Sequence, residues 1–309
     1  MQIVQRSSFG PFGNGNIVSV NETDSMTSGL VNSEGPFDGP GGRLYRRSVR
    51  PEKDAVGRLA LVHGYGDHSG RHVHFMQWMA ERGFACDVFD LRGQGLSEGR
   101  RGYVRRWEEY LDDLNAFLSL VNSQYSSNLP LFVLGHSHGG LVVAAAGEEG
   151  LLEFAGVRGV ILTSPYLRSC MKVPLRKILL GRMIAPFIPW MQFPTGLTND
   201  GMSSDPLMVA DSSADPLVTR VATPRWYLSH LRMQRRVLDG AAKLRLPLLV
   251  LAAGADIIAD PQASEEFVQA AASQDKRFRL YPSQKHELLR ETGRFEVFEE
   301  ILVWSRSHL

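Results

Sequence analysis

The stretch FVLGHSHGGLVVAAAG, Phe132–Gly147, changes character in its middle. An apolar run of β type ends at Leu134, a knot of glycine, histidine and serine follows, and small apolar residues of helical type take over near Gly139. A strand that turns straight into a helix forces the residue between them into a strained backbone conformation, and glycines at 135 and 139 leave room for the close approach. Gly135, His136, Ser137, His138 and Gly139 fit G-x-S-x-G in the strand-turn-helix setting that gives this pentapeptide its meaning. That setting presents Ser137 Oγ outward at a helix N-terminus, whose unsatisfied N–H groups favour negative charge. Without it the pentapeptide says little, because it arises readily in a chain with 30 glycines.

Outward from this junction, short apolar runs alternate with helix-like segments. LYRRSV, RLALVHG, FACDVFD, RGVILTS, PLLVLAAG and RFRLYP read as strands, and several are the continuous Val, Leu and Ile runs expected when both faces of a mostly parallel sheet are covered. Between them, RRWEEYLDDLNAFLSLVNSQY spaces Trp107, Tyr110, Leu111, Leu114, Leu118 and Val121 along one helical face. The alternation predicts a doubly wound, mostly parallel α/β sheet built from residues 34–165 and 241–309. The rhythm fails between Tyr166 and Gly240, where Pro, Met, Trp and scattered basic residues replace strand-like runs. Ligands of open α/β sheets bind at the carboxyl ends of the strands, so residues 166–240 are expected to form a helical cap over that site. Within them, Asp205 and Asp215 each open a DPL triplet, which predicts two capped helix starts with proline at the first position.

A serine hydroxyl is a poor nucleophile at its own pKa and needs a base, itself held by a third group. Asp256 follows the buried run LLVLAA at the same sheet edge as Ser137, and His286 lies in the loop after the last strand-like run. Asp260 competes for the acid's place, but it precedes Pro261 and a helical segment, so capping accounts for it and Asp256 is preferred. The order Ser137, Asp256, His286 is the one this type of strand-turn-helix nucleophile uses. Stabilising a developing oxyanion requires backbone donors, and the glycine-bearing loop His63–Gly66 after RLALV offers the Tyr65 N–H beside that of His138. Histidines at 63, 68, 72 and 74 invite a metal reading, yet no Cys or carboxylate set accompanies them at ligand spacing. No metal or cofactor is expected.

A chain of 309 residues, 43% hydrophobic and 22% charged, can bury a sizeable core, and its formal net charge of +1 gives no reason to expect a nucleic-acid partner. Cys86 and Cys170 are too few and too far apart for a disulfide framework, so reduced thiols are expected. Residues 1–33 are rich in Gly, Ser and Asn, lack the apolar core of a signal peptide and read as a flexible tail. No run has the length a membrane span requires, and a cytoplasmic location follows as the default.

Several blocks in one order, VHGYGDHSGRH, DLRGQGLSEG, GHSHGG, SPYL, ADPLVTRVATPRWYL, GADIIADP and KHELLRE, resemble the monoacylglycerol lipase and lysophospholipase-like branch of the serine α/β-hydrolases, from about Glu34 to the C-terminus. The resemblance implies the α/β-hydrolase fold, a triad of Ser137, Asp256 and His286, and the Tyr65 and His138 amides as the oxyanion hole. It departs at His138, where the family commonly has methionine, and an imidazole beside the nucleophile would alter pocket polarity or pH response. DLRGQGLSEGRRGY lacks the spacing of a phosphate-binding loop and is expected to border the site, with Arg92 in a buried polar network.

The implied activity is hydrolysis of a carboxylic ester through an acyl-enzyme, with monoacylglycerols or similar single-chain lipids as substrates. A lysophospholipase, a small-ester carboxylesterase, an acyltransferase, and a binding protein on a hydrolase scaffold are the alternatives. In the cap, Lys172, Arg176, Lys177 and Arg182 are interleaved with apolar residues, a pattern that suits an acyl chain or transient contact with a membrane or micelle surface, and equally a helix packed on the core. Ile184, Phe187 and Trp190 are the expected substrate-binding residues there. An aminopeptidase is disfavoured, since no acidic cluster in the cap would hold a free amine.

Overall fold

The computed structural model describes residues 29–126, 128–171, 173–198 and 201–309. In chain order the described elements are β1 (Leu30–Gly39), β2 (Gly42–Pro51), β3 (Gly57–Val62), α1 (Val73–Ala80), β4 (Phe84–Phe89), α2 (Glu109–Gln124), β5 (Leu131–His136), α3 (His138–Glu148), α4 (Leu151–Phe154) and β6 (Val157–Thr163). They continue with α5 (Leu175–Ile184), β7 (Phe193–Pro194), α6 (Pro206–Ala214), β8 (Val221–Ala222), α7 (Pro224–Gly240), β9 (Leu248–Ala253), α8 (Pro261–Ala270), β10 (Lys276–Tyr281) and α9 (Arg294–Arg306).

Eight strands form one sheet in the order β1-β2-β4-β3-β5-β6-β9-β10. The strands from β4 to β10 in that order run parallel, and β1 and β2 add an antiparallel hairpin at one edge. Each central strand sends alternate side chains to opposite faces, which is why its sequence is apolar throughout. Leu59 and Leu61 of β3, with Phe132 and Leu134 of β5, join the apolar faces of α1 and α9 on one side. Ala60, Val62, Leu131 and Val133 join α2, α3 and α8 on the other. All six residues spaced for a helical face from Trp107 to Val121 are buried on that second side, although α2 itself begins only at Glu109.

Two expectations are corrected here. The chain enters the sheet before residue 34: β1 starts at Leu30, whose partner is Pro51, and only residues 1–28 of the expected tail lie outside the described residues. Its LVNSEGPFDG shows no alternation, because an edge strand takes its register from the β2 ladder and the tight Gly39–Gly42 connection. Asp205 does cap α6, accepting from the Leu207 N–H at 3.0 Å, but Asp215 accepts from Leu217 N–H at 2.8 Å in a turn that no helix follows.

Elements α5, β7, α6, β8 and α7 all lie between β6 and β9, so they leave and re-enter the sheet at two neighbouring strands. Thr223 caps α7 by accepting from the Trp226 N–H. Among the described residues no helix is long and apolar enough to cross a membrane. Both cysteines are free, Cys86 buried and Cys170 exposed.

Candidate active site

Ser137 separates the last residue of β5 from the first of α3 and holds φ 53° and ψ −117°. Such a conformation costs about 1–3 kcal/mol in a residue with a side chain. Its own backbone bonds offset this: the Ser137 N–H donates to Thr163 O at 3.0 Å, and its carbonyl accepts from the N–H groups of Leu141 at 3.2 Å and Tyr166 at 2.9 Å. The flanking glycines are sterically required. A Cβ on Gly139 would stand 2.1 Å from Val62 O, and one on Gly135 2.6 Å from Gly139 O.

The structure brings Ser137, His286 and Asp256 together. His286 Nε2 lies 2.7 Å from Ser137 Oγ, and His286 Nδ1 lies 2.7 Å from Asp256 Oδ2. The other Asp256 oxygen accepts from the N–H groups of Ile258 at 2.8 Å and Ala259 at 2.9 Å, which fixes the carboxylate plane. With Nδ1–H donated to Asp256, Nε2 is left as the acceptor for the serine proton. Burial alone would depress the His286 pKa, but the adjacent Asp256 carboxylate outweighs it and raises the value above the ordinary 6.5. His136, with its ring 5.3 Å from that of His286, is held neutral by complete burial and by the charge of its neighbour. Asp260 is the cap of α8, as its position before Pro261 predicts, and also pairs with Arg168.

The loop after β3 backs onto the serine: a Cβ on Gly64 would meet Ser137 Cβ at 3.2 Å. His63 shapes it, donating from Nδ1 to Gly64 O at 2.8 Å and accepting the Leu91 N–H on Nε2 at 3.0 Å. Tyr65 is tied to the segment before α7 by its hydroxyl, which donates to Val221 O at 2.8 Å, and by its ring, 3.8 Å from that of Trp226. The loop carrying Tyr65 is thus packed against Ser137, and His138 follows Ser137 directly as the first residue of α3. The His138 side chain, in contrast, is sealed beneath α3 among Tyr65, Trp107, Tyr110, Trp226 and His230, lines neither cavity beside Ser137, and burial holds its pKa well below 6.5. The His138 imidazole therefore does not alter the polarity of either cavity directly.

A buried charge network beside the site is not evident from sequence. Arg71 bonds Asp67 at 2.8 Å, both Glu287 oxygens at 3.0 and 3.1 Å, and Ser212 Oγ of α6 at 2.6 Å. Arg290 adds Arg71 O at 3.0 Å and Asp211 of α6 at 2.7 Å. Desolvation opposes the Asp67 charge, yet Arg71 and His72 more than compensate and hold its pKa well below the usual carboxylate range. The network clamps Glu287, and with it His286, to the loop carrying Tyr65. The charged residues of GDHSGRH and KHELLRE were the available signal, but nothing in their spacing pairs them across 216 residues. It also accounts for the histidines that invite a metal: His72 bonds Asp67 and His68 bonds Asp215, while His74 bonds Leu289 O. Arg92 pairs with Asp113 and Glu109, although its guanidinium is half-buried and not enclosed as expected.

Two cavities meet at Ser137 and His286. The smaller, about 40 Å³, is the more polar of the two, with Asp67, Arg71, Ser212, Arg220 and Glu287 in its wall beside Leu197, Met202 and Val218. The larger, about 100 Å³, is mostly apolar, walled by Met171, Val173, Leu197, Met202, Trp226 and Ile258. Ile184, Phe187 and Trp190 line neither, and Phe187 and Trp190 are exposed. No residue of α5 is buried, and Trp226 of α7 supplies the aromatic wall of the larger cavity instead. Lys172 lies outside the described residues.

The chain is similar to known proteins in both sequence and fold. The sequence profile described as Hydrolase_4, serine aminopeptidase S33, matches residues 53–293. A monoacylglycerol lipase of Mycolicibacterium smegmatis is 32% identical over 284 residues, covering 90% of this chain and 98% of that protein. Phospholipase YtpA of Bacillus subtilis is 28% identical over 79% of this chain and 93% of its own length. The crystal structure of the monoacylglycerol lipase of Paleococcus ferrophilus superposes with a TM-score of 0.76 at 28% identity, covering 86% of this chain and 99% of that one. With its mostly parallel sheet, its strained serine between strand and helix and this match over most of its length, the chain belongs to the Hydrolase_4 family of serine hydrolases and has the α/β-hydrolase fold.

Proposed function

We propose that this enzyme hydrolyses monoacylglycerols through an acyl-enzyme, with Ser137 as nucleophile, His286 as general base and acid, and Asp256 as the group that orients and stabilises the imidazolium. The observation that carries this is the unbroken hydrogen-bonded chain from Ser137 through His286 to Asp256, at the junction of one polar and one apolar cavity. Ser137 Oγ attacks the ester carbonyl as its proton passes to His286 Nε2. The tetrahedral oxyanion is met by the Tyr65 and His138 N–H groups, each such donor contributing about 3 kcal/mol in the transition state. Collapse expels the glycerol alkoxide, which takes the proton from His286. Water then repeats the sequence on the acyl-enzyme and releases the fatty acid.

The polar cavity suits glycerol hydroxyls and the apolar one the start of an acyl chain. At 40 and 100 Å³ both fall below the roughly 300–1,000 Å³ of sites that enclose a whole ligand, so residues 166–240 act as a cap that shifts to admit a long chain. Its exposed α5 rests on lipid surfaces, which fits a cytoplasmic, membrane-peripheral enzyme with reduced thiols. An amine-binding role is disfavoured because Asp205, Asp211 and Asp215 of this segment already face Arg294, Arg290 and His68. The test compares Ser137→Ala with wild type on p-nitrophenyl butyrate, a long-chain monoacylglycerol and a lysophosphatidylcholine. A loss on the order of 10⁶ in kcat with the fold intact is expected, as is preference for the monoacylglycerol. Undiminished turnover in the variant contradicts the mechanism, and preference for the lysophospholipid contradicts the substrate.

A further inference from the structure

The structure assigns a second ligand site, for the phosphate head group of an anionic membrane phospholipid, to an arginine-lined groove between α5, α7 and the turn before α2. The assignment rests on the reading of α5 as a lipid-facing surface and adds the chemical identity of that surface's partner.

The groove has a volume of about 630 Å³ and lies apart from Ser137. Arg105, Arg106, Arg182, Arg225, Arg232 and Arg236 line it against one carboxylate, Glu108. For a chain whose net charge is only +1, this is a strong local surplus. Three of the six have outside partners: Arg105 faces Glu109, Arg106 faces Asp112, and Arg236 bonds Glu149 at 2.5 Å. Arg182, Arg225 and Arg232 face no carboxylate among the described residues. Arg225 reaches only Arg105 O at 3.4 Å, and its Nε is shut off from solvent without an acceptor. Three uncompensated guanidinium groups, one with an orphaned donor, form a site for oxygen anions, because their planar forks match phosphate.

The surface beside the groove decides where that phosphate comes from. Leu175, Leu179, Met183 and Phe187 recur every fourth residue along α5 and the turn after it, and all are exposed, Phe187 by 79%. Arg182 is the residue before Met183 of this row, and it lines the groove together with Ala185 and Pro186, which follow α5. A soluble phosphate ester or an acidic protein segment would leave the apolar row uncovered. An anionic bilayer covers both, acyl region against the row and head groups in the groove. Docked this way, the enzyme would sit with its cap against the membrane that holds its substrate.

Flotation of the full chain with phosphatidylcholine vesicles, with and without about a third of phosphatidylglycerol, tests the assignment. Wild type should partition at least about tenfold better onto the anionic vesicles and lose that preference as salt is raised. Arg182→Glu with Arg232→Glu should abolish the preference while leaving hydrolysis of soluble p-nitrophenyl butyrate unchanged. That assay keeps a failure of the esterase reading separate from a failure of this one. Equal binding to neutral and anionic vesicles, or an undiminished preference in the double variant, would overturn it. So would saturable binding of glycerol 3-phosphate without vesicle binding, which would give the groove to a free phosphate ester.

Discussion

Helices α3 and α5 are of nearly equal length and both carry runs of apolar residues, yet ten of the eleven residues of α3 are buried and none of the ten of α5 is. The difference comes from how each is tied to the sheet. Helix α3 continues directly from a central strand through Ser137, so the strain there is supported by close packing on every side, down to a Pro165 ring that leaves no space for a side chain on Gly140. Helix α5 hangs on a long insertion and contacts chiefly α7, so its apolar side chains face outward. Hydrophobic composition does not separate a core helix from an exposed one; attachment to the sheet does.

The comparison breaks most severely at the glycines. Gly139→Ala places a methyl group 2.1 Å from a carbonyl oxygen, and we expect loss of both folded yield and turnover, read by circular dichroism and ester hydrolysis. If the variant folds and turns over normally, the tight elbow is not the constraint described. Gly181→Ala in α5, whose nearest neighbour would be 3.9 Å away, should instead be neutral or stabilising by about 0.5–1 kcal/mol in urea titrations.

Between these extremes lie the charged groups that hold the site. Asp256→Asn should cost about 10⁴ in kcat, the loss seen when a triad histidine is left in the wrong tautomer. It should also move the pH profile. His286 is active only when neutral and its pKa is raised, so the wild-type acid limb of kcat/KM should lie above pH 6.5, with activity falling as pH drops through it. The variant loses the group that raises that pKa, so its limb should shift downward. An unshifted limb would assign the titration elsewhere.

Arg71→Met strands Glu287 and Asp67 in a buried site and should lower stability by about 3–5 kcal/mol, measured by denaturant unfolding. A pH-dependent effect concerns the one residue of α3 that is not buried with the rest. Desolvation pushes Glu148 up to about 8, so its carboxyl stays protonated in the folded state where the unfolded chain would ionise. Stability should therefore fall as pH rises from 4.5 through about 8, and Glu148→Gln should remove that fall in thermal melts across the range.

The sheet and the meeting of Ser137, Asp256 and His286 were legible because Ser137 and Asp256 each follow a continuous apolar strand, His286 follows the last strand-like run, and strands of one parallel sheet end at one edge. What was not legible depends on tertiary partners. The strand beginning at Leu30 has no pattern of its own, and its residues extend only because β2 offers a ladder. Asp215 carries the same DPL signature as Asp205 but turns to His68 instead of starting a helix. The network of Arg71, Glu287 and Arg290 joins residues more than two hundred positions apart. Ile184, Phe187 and Trp190 were assigned inward by composition alone, which cannot tell which side of an inserted helix faces the core.

The proposed turnover requires a single reactive hydroxyl, that of Ser137. Incubating the active enzyme with a fluorophosphonate and mapping the adduct by peptide mass spectrometry measures that reactivity directly. One phosphonyl group on the peptide containing Ser137, formed in step with loss of activity and absent when His286 is replaced by alanine, is the predicted result. An enzyme that keeps hydrolysing esters unlabelled, or that is inactivated through another residue, would contradict it.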